Sequence, residues 1–392
     1  MKKKICVVTG SRAEYGIFKP LLRCIQQSQS LSLQLAVTGM HLSADFGLTW
    51  QEIVQDGFGI DAQVETLLNS DTPIGTAKSM ALGVAGFADV WGRLQPDLIL
   101  ILGDRFEILA AALAAVPACI PIAHIHGGET TEGAIDEVMR HMLTKISHLH
   151  FVAAEPYRQR VIQLGEQPHR VFNVGALGLD QLRSADLVTR PRWEEESGFQ
   201  LGELNFLVTY HPVTLENNDP VSVMEALLTA LDSYPQAHIL FTKANADAGG
   251  RRMNQCLEDY VHRHPHRTAL FANLGSRLYV AALSLFDVVL GNSSSGLIEA
   301  PFFQTPTVNI GNRQKGRLRA TSVFDCQENS QAILQAIQQA LVSGIKQGIT
   351  QVVSPYGAGK SSQYIVQILT ETPFAELIHK KFFDIPTRAE NL

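Results

Sequence analysis

Residues 124–137 read His-Ile-His-Gly-Gly-Glu-Thr-Thr-Glu-Gly-Ala-Ile-Asp-Glu, the densest polar cluster of the chain. Two histidines and a run of carboxylates occupy a segment loosened by glycines. His124 and His126 share a face if the backbone there is extended. Such a cluster can ligate a metal, carry general acid–base chemistry through paired carboxylates, or form a loop capped by its acids. No cysteine or histidine at metal-ligand spacing joins it, so the acid–base reading is the stronger. A further carboxylate, Asp104, follows Ile101-Leu102-Gly103 and precedes Arg105-Phe106-Glu107. It can cap the next helix and act in catalysis at once. Arg140, His141, Lys145 and His148 recur at helical spacing and read as a solvated or subunit-facing helix surface.

A second kind of chemistry lies elsewhere. Residues 286–299 run from an apolar strand through Gly-Asn-Ser-Ser-Ser-Gly into a helix that carries Glu299. The turn offers free backbone N–H groups and three hydroxyls, a site for a diphosphate. Glu299 can accept from sugar hydroxyls. Val8-Thr9-Gly10-Ser11-Arg12 brings an arginine to the first strand end, where it can grip a phosphate, although the dinucleotide Gly-x-Gly-x-x-Gly pattern is absent. Leu207-Val208-Thr209-Tyr210-His211-Pro212 ends another strand in a histidine held extended by proline. Asn245 and Asp247 lie in Lys243–Gly250, as base or ribose contacts or as turn formers. Arg313 follows Asn309-Ile310-Gly311-Asn312 and can face the same pocket as the serine turn.

The elements that must position these residues are legible in the hydropathy. Strands are predicted at 4–9, 33–38, 98–102, 120–125, 149–153 and 171–174, with helices at 17–28, 76–94 and 106–116. The strands are apolar on both faces, as in a parallel sheet covered by helices. The pattern restarts near residue 176, with strands at 205–209, 237–242, 268–271, 287–290 and 307–310 and helices at 220–233, 251–264, 276–284, 295–303 and 329–343. The fold class is α/β, with two doubly wound domains and ligands at the carboxyl ends of the strands, in the cleft they form. The domains are expected over 1–176 plus 363–392, and over 177–362.

Composition narrows the function. The 392 residues carry a net charge of −6, which argues against generic nucleic-acid binding through a basic face. Five scattered cysteines with no CxxC pairing fit a reducing compartment and small core positions. Residues 108–125 lack Asp, Glu, Lys and Arg, but Pro117 and Pro121 interrupt them, so a helix, a turn and a strand are expected and no membrane span. Ser354-Pro-Tyr-Gly-Ala-Gly-Lys-Ser361 imitates a P-loop without its first glycine or a preceding strand and reads as a connecting turn.

Six segments in order carry a family resemblance: Thr9-Gly-Ser-Arg-Ala-Glu-Tyr-Gly16, Gly103-Asp-Arg-Phe-Glu107, His124-Ile-His-Gly-Gly-Glu129 with Ile135-Asp-Glu137, His211-Pro-Val-Thr214, Gly291-Asn-Ser-Ser-Ser-Gly-Leu-Ile-Glu299, and Gly311-Asn-Arg-Gln-Lys-Gly-Arg317. Over nearly its whole length the chain resembles the UDP-N-acetylglucosamine 2-epimerases, above all the hydrolysing branch that feeds sialic and other nonulosonic acids. The resemblance implies a GT-B-like fold of two Rossmann-like domains, with the active site in the interdomain cleft and a C-terminal helix that crosses back onto the first domain. It implies a reaction without metal or NAD cofactor. A base takes the sugar C2 proton as UDP leaves C1, giving a 2-acetamidoglucal; water then adds at C1 and a proton returns to the other face of C2. The products are N-acetylmannosamine and UDP.

The resemblance places catalytic carboxylates at Asp104 and Asp136. Many relatives have Glu where this chain has His126, so the third acid/base is His126 or Glu129. Substrate and UDP contacts carry over to Arg12, His41, Arg105, His211, Asn245, Ser293, Ser294, Glu299 and Arg313. The expectation is a cytoplasmic enzyme acting on a UDP-sugar, with no nucleic-acid or membrane partner, assembled as a homo-oligomer, dimer or tetramer. Rival readings are UDP-N,N′-diacetylbacillosamine as substrate, a GT-B glycosyltransferase, which needs an acceptor and no Asp104/Asp136 pair, and a non-catalytic nucleotide-sugar sensor.

Overall fold

The structure, a computed structural model, describes residues 2–68, 72–130, 135–184, 187–212, 220–243, 250–272 and 274–385. The chain divides into two units, Met1–Arg183 with Tyr356–Leu392, and Ser184–Pro355.

The first unit is built on strands β1 (Lys3–Thr9), β2 (Leu31–Thr38), β3 (Ala62–Val64), β4 (Leu98–Leu102), β5 (Ile122–Ile125), β6 (Leu149–Val152) and β7 (Val171–Asn173). They form one parallel sheet in the order β3-β2-β1-β4-β5-β6-β7. Its helices are α1 (Arg12–Gln27), α2 (Trp50–Gln55), α3 (Pro73–Leu94), α4 (Phe106–Ala115), α5 (Ile135–Ile146), α6 (Glu155–Gln163) and α7 (Gly178–Ser184). The second unit holds α8 (Arg190–Ser197), β8 (Leu204–Thr209), α9 (Pro220–Asp232), β9 (Ala237–Thr242), α10 (Gly250–Arg263), β10 (Thr268–Phe271), α11 (Ser276–Leu285), β11 (Val288–Gly291), α12 (Ser294–Ile298), β12 (Thr307–Ile310), β13 (Val323–Cys326) and α13 (Ser330–Val342). Its parallel sheet runs β10-β9-β8-β11-β12-β13. The chain then returns to the first unit through α14 (Ser361–Glu371).

Both sheets are buried on both faces, which is why their strands read as continuous apolar runs. Ile5 and Val7 pack with Phe18, Leu22, Ile365 and Leu369. Cys6 and Val8, pointing the other way, pack with Phe87, Trp91, Ile108 and Ala112. The second sheet repeats the scheme, with Phe206 and Val208 against Met224, Leu227 and Ile337, and Leu207 and Val289 against Trp193, Ala281 and Phe286. The returning helix is thus part of the first unit's core. Its start is fixed by Asp180, whose carboxylate accepts from the N–H groups of Ser361 and Ser362 at 2.9 and 2.5 Å. The Tyr356 carbonyl accepts from Ala176 N–H at 2.8 Å, so the P-loop-like segment is a connecting turn.

Differences from the expected elements have local causes. α1 begins at Arg12 because Ser11 caps it, accepting from Glu14 N–H at 3.4 Å, and Pro20 is carried within it. The expected helix 295–303 is α12 followed by a 3₁₀ turn over Ala300–Phe303 that contains Pro301. β3 and β13 were not predicted; one has three residues and the other is a partly exposed edge strand. Among the described residues no helix is long and apolar enough to cross a membrane.

Candidate active site

Strand order reverses at β1/β4 in the first sheet and at β8/β11 in the second. Loops leave such a pair in opposite directions and open a crevice at the carboxyl ends of the strands. The polar motifs lie at these ends.

In the first unit, Asp104 follows β4 and receives a hydrogen bond and ion pair from the Arg140 guanidinium of α5. Arg140 is only 7% exposed, so the expected solvated face of α5 is corrected here: this arginine turns inward to a carboxylate. Burial raises the Asp104 carboxyl above its ordinary range, Arg140 works against that, and the negative charges of Asp136 and Glu129 reinforce it. Two further carboxylates therefore act on Asp104 electrostatically. Asp136 lies in the first turn of α5, and Glu137 beside it accepts from His141 at 3.1 Å.

His126 follows β5 with a left-handed backbone, φ 66°. Its Nδ1 meets Glu129 Oε1 at 2.7 Å, and its Nε2 accepts from Leu177 N–H at 3.3 Å. His124 is fully buried; its Nε2 donates to the Gly103 carbonyl at 2.7 Å and so steadies the turn before Asp104. Burial pushes its pKa down to about 3.

Arg105 grips Glu107 with two hydrogen bonds, 3.2 and 2.9 Å. Burial works against its charge, yet that carboxylate holds its pKa above the ordinary value. Glu107 is fully buried. Glu14, also buried, accepts from Gly10 N–H at 2.7 Å, and burial pushes its carboxyl up to about 7. Neither buried acid was singled out from sequence. His41 is enclosed, with Nε2 3.1 Å from the Thr9 hydroxyl and Nδ1 2.7 Å from that of Thr49. Its role here is to brace β1 against the turn after β2, and burial lowers its pKa to about 4. Arg12 is exposed and pairs with Glu52 at 3.0 Å. A cavity of about 420 Å³ adjoins Arg105 and is lined by Met40, Phe46, Leu68, Ser79 and Phe106 among others.

In the second unit, Gly291 has φ 133°, and a Cβ there would lie 1.8 Å from the Thr209 carbonyl oxygen. Only glycine lets β11 end so close to β8. Asn292 then clamps His211 reciprocally: Oδ1 accepts from His211 N–H at 2.8 Å and Nδ2 donates to the His211 carbonyl at 2.7 Å. The Asn292 carbonyl accepts from Arg313 Nη1 at 3.1 Å and from Gln314 Nε2 at 2.8 Å. One asparagine, passed over in the sequence reading, thus gathers His211, the serine turn and Arg313. Ser293 caps α12, which Ser294 begins. Tyr279 donates to the Ser295 hydroxyl at 3.0 Å, which donates to Glu299 Oε2 at 2.9 Å. Burial raises the Glu299 carboxyl. Asn245 lies outside the described residues. Among the described residues no three metal-ligating side chains converge.

The sequence and the fold are similar to those of known proteins. The profile of the family described as UDP-N-acetylglucosamine 2-epimerase matches residues 23–370. The chain is 42% identical over 328 residues to the Campylobacter jejuni GDP/UDP-N,N′-diacetylbacillosamine 2-epimerase (hydrolyzing), covering 84% of this chain and 85% of that protein. It is 36% identical to the Escherichia coli polysialic acid biosynthesis protein P7, with 98% of both chains covered. In fold it is similar to the UDP-GlcNAc 2-epimerase of Neisseria meningitidis, solved bound to UDP-GlcNAc, with a TM-score of 0.78, 19% identity and 94% and 100% of the two chains covered. With two parallel sheets, the strand-end motifs and these matches together, the chain belongs to the UDP-N-acetylglucosamine 2-epimerase family.

Proposed function

We propose that the protein is a hydrolysing UDP-sugar 2-epimerase that converts UDP-N-acetylglucosamine and water to N-acetylmannosamine and UDP, supplying sialic acid synthesis. The observation that carries this reading is that Asp136 and Glu129 lie near enough to Asp104 for their charges to raise its carboxyl. A transferase needs to hold a donor and activate an acceptor. It has no need of a cluster of carboxylates such as proton exchange at a carbon requires. The second unit takes the leaving group, with the N–H groups and hydroxyls of Ser293 and Ser294 beside Arg313 and His211 for the diphosphate and Glu299 for the ribose. Arg12, Arg105 and Asn245 complete the contacts.

In the first step the C2–H bond breaks, its proton passes to a carboxylate of the first unit, the electron pair forms C1=C2, and the C1–O pair leaves with UDP. In the second step water adds its hydroxyl to C1 while a carboxylate delivers a proton to the opposite face of C2; the water's own proton restores that carboxylate, and the proton taken in the first step passes to solvent with the departing UDP. The net change is consumption of one water. The 36% identity to the polysialic acid protein supports the sialic acid role.

A second substrate, UDP-N,N′-diacetylbacillosamine, is favoured by the 42% identity to the C. jejuni enzyme. In the cavity beside Arg105, Met40, Phe46, Leu68 and Phe106 offer apolar surface for a methyl C6, and Ser43, Thr76 and Ser79 offer hydroxyls for an added acetamido group. Each UDP-sugar is incubated with the enzyme in D₂O without acceptor, and UDP and the free sugar are followed. UDP release with deuterium at C2 is expected. Release that requires an added acceptor selects the transferase, and intact sugar nucleotide after long incubation selects a sensor.

A further inference from the structure

We infer that Tyr279 and Ser295 are positioning residues for Glu299, and that through it they set the preference of the site for a ribonucleotide leaving group. This rests on the reading of Glu299 as the ribose contact and deepens it.

In sequence the serine run reads as three equivalent hydroxyls. The structure gives them different partners. Ser293 caps α12 and Ser294 begins it. Ser295 serves a carboxylate instead: its hydroxyl donates to Glu299 Oε2 at 2.9 Å, one helical turn on. A hydroxyl has one proton, so Ser295 has none to give a phosphate while this bond stands. Its lone pairs stay open, and one accepts from the Tyr279 hydroxyl at 3.0 Å. Bond direction therefore runs one way, from Tyr279 through Ser295 to Glu299. Burial raises the Tyr279 phenol above its ordinary pKa, which keeps it a donor.

The frame around this chain is stiff. Tyr279 packs on the cluster that holds Trp193, Phe286 and Ala300. Thr307 Oγ1 donates to the Gly296 carbonyl at 2.8 Å, and a Cβ on Gly296 would lie 2.7 Å from Thr307 Cγ2, so α12 is pressed onto β12. Glu299 ends that helix as its C-cap residue. Among the described residues its side chain makes no hydrogen bond besides the one from Ser295, and the residue is partly exposed. Oε1 is thus left for a ligand. A ribose offers two vicinal hydroxyls: Oε1 takes one, and the second lone pair of Oε2 takes the other. A glutamate free to rotate loses that freedom on binding. One tied through Ser295 has lost it beforehand, so more of the contact appears as affinity.

Calorimetry with UDP and with its dideoxyribose analogue, which lacks both ribose hydroxyls, tests this. Wild type is expected to favour UDP by roughly 10–100-fold. Tyr279→Phe keeps the ring and removes only the hydroxyl, and Ser295→Ala removes the link itself. In each, affinity for UDP should fall about 3–10-fold while the analogue binds as it does to wild type, so the ribose preference narrows. In turnover KM for the UDP-sugar should rise by a similar factor with kcat within about threefold, because the ribose is held equally before and during C1–O cleavage. A residue that merely packs would weaken both nucleotides alike. The ribose reading has its own control: wild type must prefer UDP, and Glu299→Ala must not. If that control fails, the reading falls and takes the inference with it. If it holds and the full preference survives in either folded variant, the inference alone is overturned.

Discussion

At Asp104 burial and the neighbouring carboxylates raise the carboxyl, and Arg140 opposes them. Arg140→Gln removes the nearest cation, so the Asp104 pKa climbs further. The limb of the pH–rate profile set by Asp104 is expected to move to higher pH, with kcat at neutral pH down roughly 10–100-fold. Loss of one partner of a largely buried pair should also cost about 3 kcal/mol of stability, measured by urea unfolding. An unmoved limb would remove Arg140 from the site. Glu14 gives the second residue-scale prediction. Its folded pKa, about 7, lies above the ordinary 4.5, because burial favours the neutral form. The stability it contributes is complete below about pH 4.5 and is lost as pH rises through 7, on the order of 3 kcal/mol in all. Glu14→Gln should therefore gain urea midpoint relative to wild type as pH rises from 5 to 8, the difference between the two curves isolating this carboxyl from the other titrating groups. Asp104, Asp136 and Glu129 could be proposed from sequence because motif spacing survives in one dimension. Arg140, Glu14 and Glu107 could not, because a charged residue at helical spacing reads the same whether it meets water or a buried partner.

Among the elements, the β11–α12 turn has the least freedom. Its glycine closes to van der Waals contact with the end of β8, and Asn292 stitches the same two strand ends together. Gly291→Ala would press a methyl into the Thr209 carbonyl and require a backbone angle alien to alanine. The expected outcome is a loss of at least ~3 kcal/mol in the unfolding of the second unit, together with loss of UDP binding by calorimetry. An alanine variant that binds UDP like wild type would show that the turn is not the diphosphate cradle. The turn could be read from sequence as a glycine-serine run after an apolar strand. Short elements could not: β3 has three residues, too few for a periodicity, and β13 pairs only as a partly exposed edge.

On the scale of the whole molecule, the first unit stores several neutral histidines. His41, His124 and His148 have pKa values lowered to about 4, 3 and 4, and that of His150 is lowered as well, all chiefly by burial. A histidine depressed in the folded state gives its full stability above its unfolded pKa, near 6.5. That stability is lost as pH falls toward the folded value, because the unfolded chain takes up protons first. Urea midpoints should thus drop between pH 7 and pH 5, most clearly in Glu14→Gln, where the opposing carboxyl is absent. A midpoint that holds or rises in that background would contradict the buried-histidine account. The same unit is closed by the returning chain: Lys380 pairs with Glu166 at 2.8 Å, and Phe374 and Leu377 are buried.

The sequence by itself determined the two parallel sheets, the strand-end placement of the motifs and the family, since hydropathy, turn residues and motif order are local or ordered along the chain. Tertiary structure decided which of those residues act together. Arg140 reaches Asp104 across 36 positions, Leu177 N–H reaches His126 across 51, and Asn292 reaches His211 across 81. No pattern in one dimension encodes those pairings. They exist because parallel strands, each separated by a crossover, deliver their carboxyl ends side by side, and only there do a proton, a lone pair and a charge find one another.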